Sequence, residues 1–296
     1  MSSTANQSIF SVDVEDWFHI LALPDAPDLN QWAAYPSRVS DNFRKLLDVF
    51  DQHRVQVTCF FLGWVAERFP ELAREAHARG HEVASHGYSH TLVYEMTPAA
   101  FREDIARAKK ILEDAVGAEV RGYRCPGFSV TKDTPWFFDV VKDAGYAYDS
   151  SVFPAPRQHG GLTSDQYAPY VKQTKHGPLV EFPVTVAEVM GKPMCFFGGG
   201  YLRLFPFPVV KVMSERVLAE GRPVVFYVHP REIDPGHPRM KMSAARRFKS
   251  YVGLRGTEQK IHRILREFRV TTFRDYLANE LAGAGAPAQE VRFQAS

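Results

Sequence analysis

Cysteine is scarce in this chain: Cys59, Cys125 and Cys195 are the only three in 296 residues. They stand far apart, with no zinc or redox spacing, which excludes a disulfide scaffold and fits the reduced thiols of a cytoplasmic protein. Long apolar runs are also missing. The longest, Val57 to Ala66, is broken by Thr58 and Gly63 and is too short to cross a bilayer. The stretch Met1 to Ser8 has neither a basic start nor an apolar core, so no secretory signal is expected. Nor is there a charge excess, since 36 Lys and Arg face 34 Asp and Glu for a formal net charge of +2, and no nucleic-acid partner is expected. The imbalance is local. Between Arg239 and Arg269 ten Lys and Arg stand against two Glu, a stretch that reads as a solvated helix face or as a peripheral contact with an anionic membrane surface.

What is present is a regular alternation. At 45% hydrophobic residues the chain can bury a large core, as one α/β barrel or two smaller domains. Short apolar runs predict strands at Ile9–Val14, Val55–Leu62, Glu82–Ser85, Gly122–Arg124, Ala147–Asp149, Val180–Pro183, Val224–Val228 and Val270–Thr272. Amphipathic stretches between them predict helices: one capped by Ser40, one over Glu71–Arg79, and one begun by Thr97-Pro98 and stopped by Gly117. This is the pattern of repeated βα units around a mostly parallel sheet. Phe153–His176 and Gly191–Pro208 read as long loops, the second holding the triplet Gly198-Gly199-Gly200. The Ala- and Gly-rich tail 283–296 reads as disordered.

Two stretches carry chemistry. Alternation along the first strand sends Asp13 and Glu15 to one side at its C-terminal end, with Asp16 at the turn beyond. In Ser85-His86-Gly87-Tyr88-Ser89-His90 two imidazoles four positions apart flank a glycine turn. A carboxylate and two imidazoles leave open positions on a divalent cation, as a catalytic site requires. His77 and His81 repeat the spacing, but they straddle Gly80 at a helix end and read as helix-terminal residues. Arg124, Asp149 and His229 each follow a predicted strand, and parallel strands in a barrel deliver their C-terminal ends to one mouth.

In the order and spacing of these segments the sequence resembles the NodB-type polysaccharide deacetylases, carbohydrate esterase family four. Ser85 to His90 is the strongest match, and the likeness runs from Ile9 to Asp149, resuming at Val180–Pro183 and Val224–Glu232. Asp13-Val14-Glu15-Asp16-Trp17, Gly198 to Arg203, and the stretch from His237 to Phe268 look like the branch associated with exosortase and exopolysaccharide gene clusters. The resemblance implies a distorted barrel of about seven strand–helix units. It makes residues 1–282 one domain, with a branch-specific C-terminal region from about 185 to 282.

The resemblance also implies roles. Asp13 matches the general base, Arg124 the arginine that orients it, His229 the general acid and Asp149 the aspartate that holds the imidazole. His86, His90 and a carboxylate match the ligands of a divalent ion, expected to be zinc. The family signature has two adjacent aspartates, whereas Val14 separates Asp13 from Glu15-Asp16, so either Glu15 or Asp16 is the carboxylate ligand. Backbone N–H groups at Gly127 or Phe128 are candidate oxyanion donors, and Trp17, Phe18, Tyr88 and Tyr201 candidate sugar platforms. The expected reaction is removal of the N-acetyl group from an amino sugar of a polysaccharide, lipid-linked precursor or peptidoglycan. The alternatives are ring opening of a small cyclic ureide such as allantoin and a non-catalytic glycan-binding scaffold.

Overall fold

The structure is a computed structural model that describes residues 7–21, 23, 26–155, 160–283 and 294–295, the side chains of the last helix only to residue 280. Its strands, in chain order, are β1 (Gln7–Val14), β2 (Thr58–Phe61), β3 (Glu82–Ser85), β4 (Gly122–Tyr123), β5 (Tyr148–Asp149), β6 (Tyr170–Thr174), β7 (Gly177–Glu181), β8 (Ala187–Val189), β9 (Lys192–Met194), β10 (Val225–Val228), β11 (Arg269–Thr271) and β12 (Gln294–Ala295). The helices are α1 (Val39–His53), α2 (Gly63–Arg68), α3 (Pro70–Ala78), α4 (Pro98–Val116), α5 (Phe137–Asp143), α6 (Gly199–Leu204), α7 (Phe207–Ala219), α8 (Ala244–Tyr251), α9 (Leu254–Glu267) and α10 (Phe273–Gly283).

Seven strands run parallel in the order β10-β1-β2-β3-β4-β5-β7, with β11 alongside the start of β1. Every residue of β1 is buried, because helices cover its outer face and the barrel core its inner one. The ladder stops at β7, whose other neighbour is the antiparallel β6. Where β7 would meet β10, Thr185 spans the gap instead, its Oγ1 accepting the Val225 N–H at 2.8 Å. This is the expected distorted α/β barrel with seven parallel strands, although β5 passes to β7 through β6 and, among the described residues, through no helix; it is curled but joined at its seam by side chain rather than by strand pairing.

The helices follow their sequence signals, with one instructive departure. Thr97 Oγ1 accepts the Ala100 N–H at the start of α4, and Gly117 closes it at φ 68°. Helix α1, by contrast, is not capped by Ser40. Its first amides, Arg38 and Val39, donate to the Asp16 carboxylate 23 residues or fewer upstream. Both expected long loops hold structure: Phe153–His176 contains β6, and Gly191–Pro208 contains β9, which pairs with β8, and α6. Glycine at 198 lets that segment lie against β10, since a Cβ there would sit 2.0 Å from the Tyr227 ring. The expected disordered tail falls largely outside the described residues, apart from Gly283 at the end of α10 and Gln294–Ala295 as β12. Among the described residues no helix is long and apolar enough to cross a membrane.

Candidate active site

Strands β1, β3, β4 and β10 deliver their C-terminal ends to one cavity of about 470 Å³, lined by Asp13, Glu15, His86, His90 and His229 among others. Alternation along β1 sets the first wall. Ser11 and Asp13 point inward, and Glu15, just past the strand, follows them after a tight turn in which its N–H donates to Asp13 O.

Arg124 follows β4 and is fully buried. Its Nη1 donates to Asp13 Oδ1 at 2.7 Å and to Ser11 Oγ at 2.8 Å, while Nε and Nη2 reach Ser150. The guanidinium also lies 4.2 Å from the centre of the Phe60 ring. A charge so placed would be costly unpaired, so it pins one oxygen of Asp13 and leaves the other, Oδ2, 3.8 Å from His229 Nε2.

Beside Asp13, one ligand atom each from Glu15, His86 and His90 lies within 4.8 Å of the others. Glu15 Oε2 is 2.5 Å from His90 Nε2. The glycine turn between the histidines needs left-handed backbone at Gly87 (φ 73°) and at His90 itself (φ 55°). His86 Nδ1 lies 2.8 Å from Arg124 O, and donating there leaves the lone pair on Nε2. Burial pushes the pKa of His86 down to about 4, so the ring is neutral at pH 7. Burial works the other way on Glu15, but His90, His229 and His86 outweigh it and hold the carboxyl well below its usual range. A charged carboxylate with two imidazoles, one kept neutral by burial, fits a divalent cation of the zinc type.

Asp16 stands apart from this group. Besides the α1 amides it accepts Trp17 N–H at 2.8 Å and Ser37 Oγ–H at 2.5 Å, so its oxygens are committed to the backbone. Of the two acids left open by the sequence, Glu15 is the one brought to the histidines. His77 is exposed, and His81 is buried with Nδ1 accepting the Val57 N–H, both away from the cavity.

His229 enters the cavity from the end of β10, its Nε2 3.6 Å from Glu15 Oε1. Burial lowers its pKa, yet Glu15, Glu232 and Asp13 together more than offset this and raise it. The expected partner, Asp149, does not hold this ring. Asp149 and Glu181 are neighbours on β5 and β7, and Asp149 accepts from Ser151 Oγ and N–H instead. Glu181 Oε2 is buried without a donor of its own, and a proton on it satisfies both acids as a shared hydrogen bond. Burial accordingly raises Asp149 to about 6 and Glu181 well above the usual carboxyl range.

The residue beside His229 is Glu232, missed in the sequence although its position three residues on is a known capping spacing. Its Oε2 accepts the His229 N–H at 3.2 Å and sits 3.6 Å from His229 Nδ1. Buried Arg203 of α6 fixes Glu232 through Nε to Oε1 at 2.9 Å, and also donates to Lys249 O and Val252 O. Burial would raise Glu232, but His229, Arg203 and Arg231 bring it down to about 2. The C-terminal region thus sets a carboxylate beside the imidazole. His19 was also missed. Its Nδ1 accepts the Asp16 N–H at 3.0 Å, so the proton sits on Nε2, which is buried at the cavity with no partner.

The remaining expectations divide. Gly127 and Phe128 both line the cavity, and the Phe128 N–H donates to Cys125 O at 3.3 Å. Trp17, Phe18 and Tyr88 are buried in packing, Tyr88 with its hydroxyl on Glu67 and Arg107 over its ring. Tyr201 alone of the four stands at the cavity, 37% exposed. Within the basic segment, Lys260 donates to Leu202, Arg203 and Phe205 carbonyls at the end of α6, while Arg246 and Lys249 line the cavity.

Comparison with known proteins agrees with this layout. Residues 30–148 match the polysaccharide deacetylase family model, and residues 150–278 match a domain of unknown function, DUF3473. Two family models thus match successive stretches of the chain, and one sheet runs through both stretches. It is 33% identical over 82 residues to a peptidoglycan-N-acetylglucosamine deacetylase of Bacillus cereus, covering 28% of this chain and 30% of that protein. It is 25% identical over 146 residues to a peptidoglycan deacetylase of Helicobacter pylori, 48% of each chain. It is 37% identical over 70 residues to a chitooligosaccharide deacetylase of Bradyrhizobium, 24% of this chain and 32% of that one. The chain thus spans between 30% and 48% of the length of these relatives. Among solved structures, a Mycobacterium smegmatis protein described as a polysaccharide deacetylase superposes with a TM-score of 0.63 at 20% identity, covering 97% of this chain and 94% of that one. The PuuE allantoinase superposes at 0.62 with 17% identity, covering 96% and 93%. At those identities the likeness is one of fold.

Proposed function

We propose that this chain is a zinc-dependent N-deacetylase that hydrolyses the acetamido group of an amino sugar, in a polysaccharide or its precursor, and that it serves the assembly of an exported polysaccharide. The observation that carries the reading is one cavity lined by Asp13, which Arg124 holds from behind, the Glu15, His86 and His90 cluster, and His229.

Glu15, His86 and His90 would hold the ion. When bound, it supplies Lewis acidity toward the amide carbonyl and lowers the pKa of water. Asp13, oriented by Arg124, takes the proton of the attacking water as its oxygen bonds to the acetyl carbon. His229, protonated on Nε2 and braced by Glu232, gives a proton to the nitrogen as the C–N bond breaks. Acetate and a free amine leave. His19 Nε2–H offers a further donor toward the substrate, and Tyr201 a face for a sugar ring.

The test is acetate release from chitooligosaccharides, alongside ring opening of allantoin, measured before and after chelation and after zinc is restored. The reading predicts acetate release that a chelator abolishes and zinc restores. Acetate release indifferent to chelation would remove the metal from the account, and ring opening without acetate release would replace the substrate class.

A further inference from the structure

One arginine in the cavity is unaccounted for by the deacetylation chemistry. Of the cavity's arginines, Arg203 is committed to Glu232 and two carbonyls, and Arg246 donates Nη2–H to Leu21 O. Arg231 differs. Its Nε and Nη1 are buried and meet no hydrogen-bond partner, and among the described residues no carboxylate forms an ion pair with it. Its sequence neighbour Glu232 feels this charge, but accepts its hydrogen bonds from Arg203 and the His229 N–H. Elsewhere in the fold the buried guanidiniums are paired, Arg124 with Asp13 and Arg203 with Glu232. A guanidinium keeps its charge at any physiological pH, so a buried donor on it left without a partner is costly. Donors left unmet on a cavity wall are placed for a ligand anion.

The surroundings carry the same sign. Arg246 and Lys249, one turn apart on α8, line the cavity with Arg231, and from Arg239 to Thr257 the chain has no Asp or Glu. The acids Asp13 and Glu15 lie at the strand ends, so the cavity is acidic where the acetamido group would react and basic on the C-terminal side. Tyr201, Leu204 and Phe248 supply exposed apolar surface beside these cations, suited to the face of a pyranose ring.

We infer that Arg231, with Arg246 and Lys249, forms an anion subsite, so that the substrate is an N-acetylated amino sugar bearing a carboxylate or phosphate near the acetamido group. This rests on the deacetylase reading for the acetamido half alone. A carboxylate would come from a uronic acid in an acidic polysaccharide, a phosphate from a sugar phosphate or its lipid-linked form. Arg231 would engage either through its charge and its unmet N–H donors.

Binding without turnover tests it. The chelator-treated 296-residue chain is titrated with a hyaluronan tetrasaccharide, with N-acetylglucosamine 1-phosphate, and with two neutral references, chitotetraose and N-acetylglucosamine. At least one anionic probe is expected to bind roughly 10- to 100-fold tighter than its neutral counterpart, and Arg231→Gln to remove most of that advantage. Which anion gains identifies its source. Should Arg231→Gln fold poorly, Arg231→Lys, which keeps the charge but not the guanidinium donors, is expected to lose part of the preference, and Arg246→Gln to lose some of it independently. Anions binding no better than neutral sugars, or a preference untouched by all three variants, would overturn the subsite. Anion preference with no acetate release from any probe after zinc is restored would overturn the deacetylation instead, and leave the subsite standing.

Discussion

Arg124 and Asp13 meet through a 2.7 Å contact between Nη1 and Oδ1, with both side chains almost wholly out of water. In that setting neither charge is dispensable to the other. Replacing Arg124 by Met leaves Asp13 buried and uncompensated, and is expected to destabilise the fold by about 3–5 kcal/mol, read by chemical denaturation. Arg124→Lys should recover little, because the fork also serves Ser11 and Ser150.

Glu15 and Asp16 have different employments. His86→Ala or Glu15→Gln is expected to abolish zinc retention, as measured by metal content after gel filtration. Asp16→Ala should keep stoichiometric zinc and lose about 1–2 kcal/mol of stability, the cost of a helix cap, since its oxygens hold the first amides of α1. Zinc lost from Asp16→Ala but kept in Glu15→Gln would reverse the assignment.

The Asp149–Glu181 pair sets a pH dependence of stability. Both carboxyls have raised pKa values in the fold, Asp149 to about 6, against ordinary values of 3.8 and 4.5. Between those limits the folded chain binds more protons than the unfolded one, so stability falls as pH rises. The contribution is complete below about pH 4 and is lost as the pH passes through the folded values. Glu181→Gln, neutral throughout and able to donate to Asp149, should flatten the denaturation midpoint from pH 5 to 8 and raise it at pH 8. An unchanged slope would show that the pair does not share a proton.

Glu232 acts through His229. Glu232→Gln is expected to lower kcat by roughly tenfold or more while KM stays within about twofold, since the group braces the acid rather than the substrate. A rise in KM alone would place it in binding.

The sheet was legible because its strands are buried on both faces, so apolar runs such as Ile9–Val14 and Val224–Val228 announced themselves. The Asp13, His86, His90 and Arg124 segments followed, since parallel strands deliver their ends to one mouth. What stayed hidden depends on lateral neighbours. Asp149 reads as a strand-end acid, but only the β5–β7 register shows Glu181 beside it. Arg203 and Glu232 are 29 residues apart, and no local pattern links them. Segment Gly191–Pro208 looked like a loop because its glycines serve close approach to Tyr227 rather than flexibility. Alternation favoured Glu15 over Asp16 only weakly, because β1 ends at Val14, after which it no longer governs direction.

The account turns on Asp13 acting on water beside a bound cation. The direct measurement is turnover of an N-acetylated oligosaccharide by zinc-loaded Asp13→Asn. It should retain stoichiometric zinc and release acetate roughly 10²- to 10⁴-fold more slowly than the unaltered chain. A rate within a few-fold of that chain, with zinc in place, would contradict it.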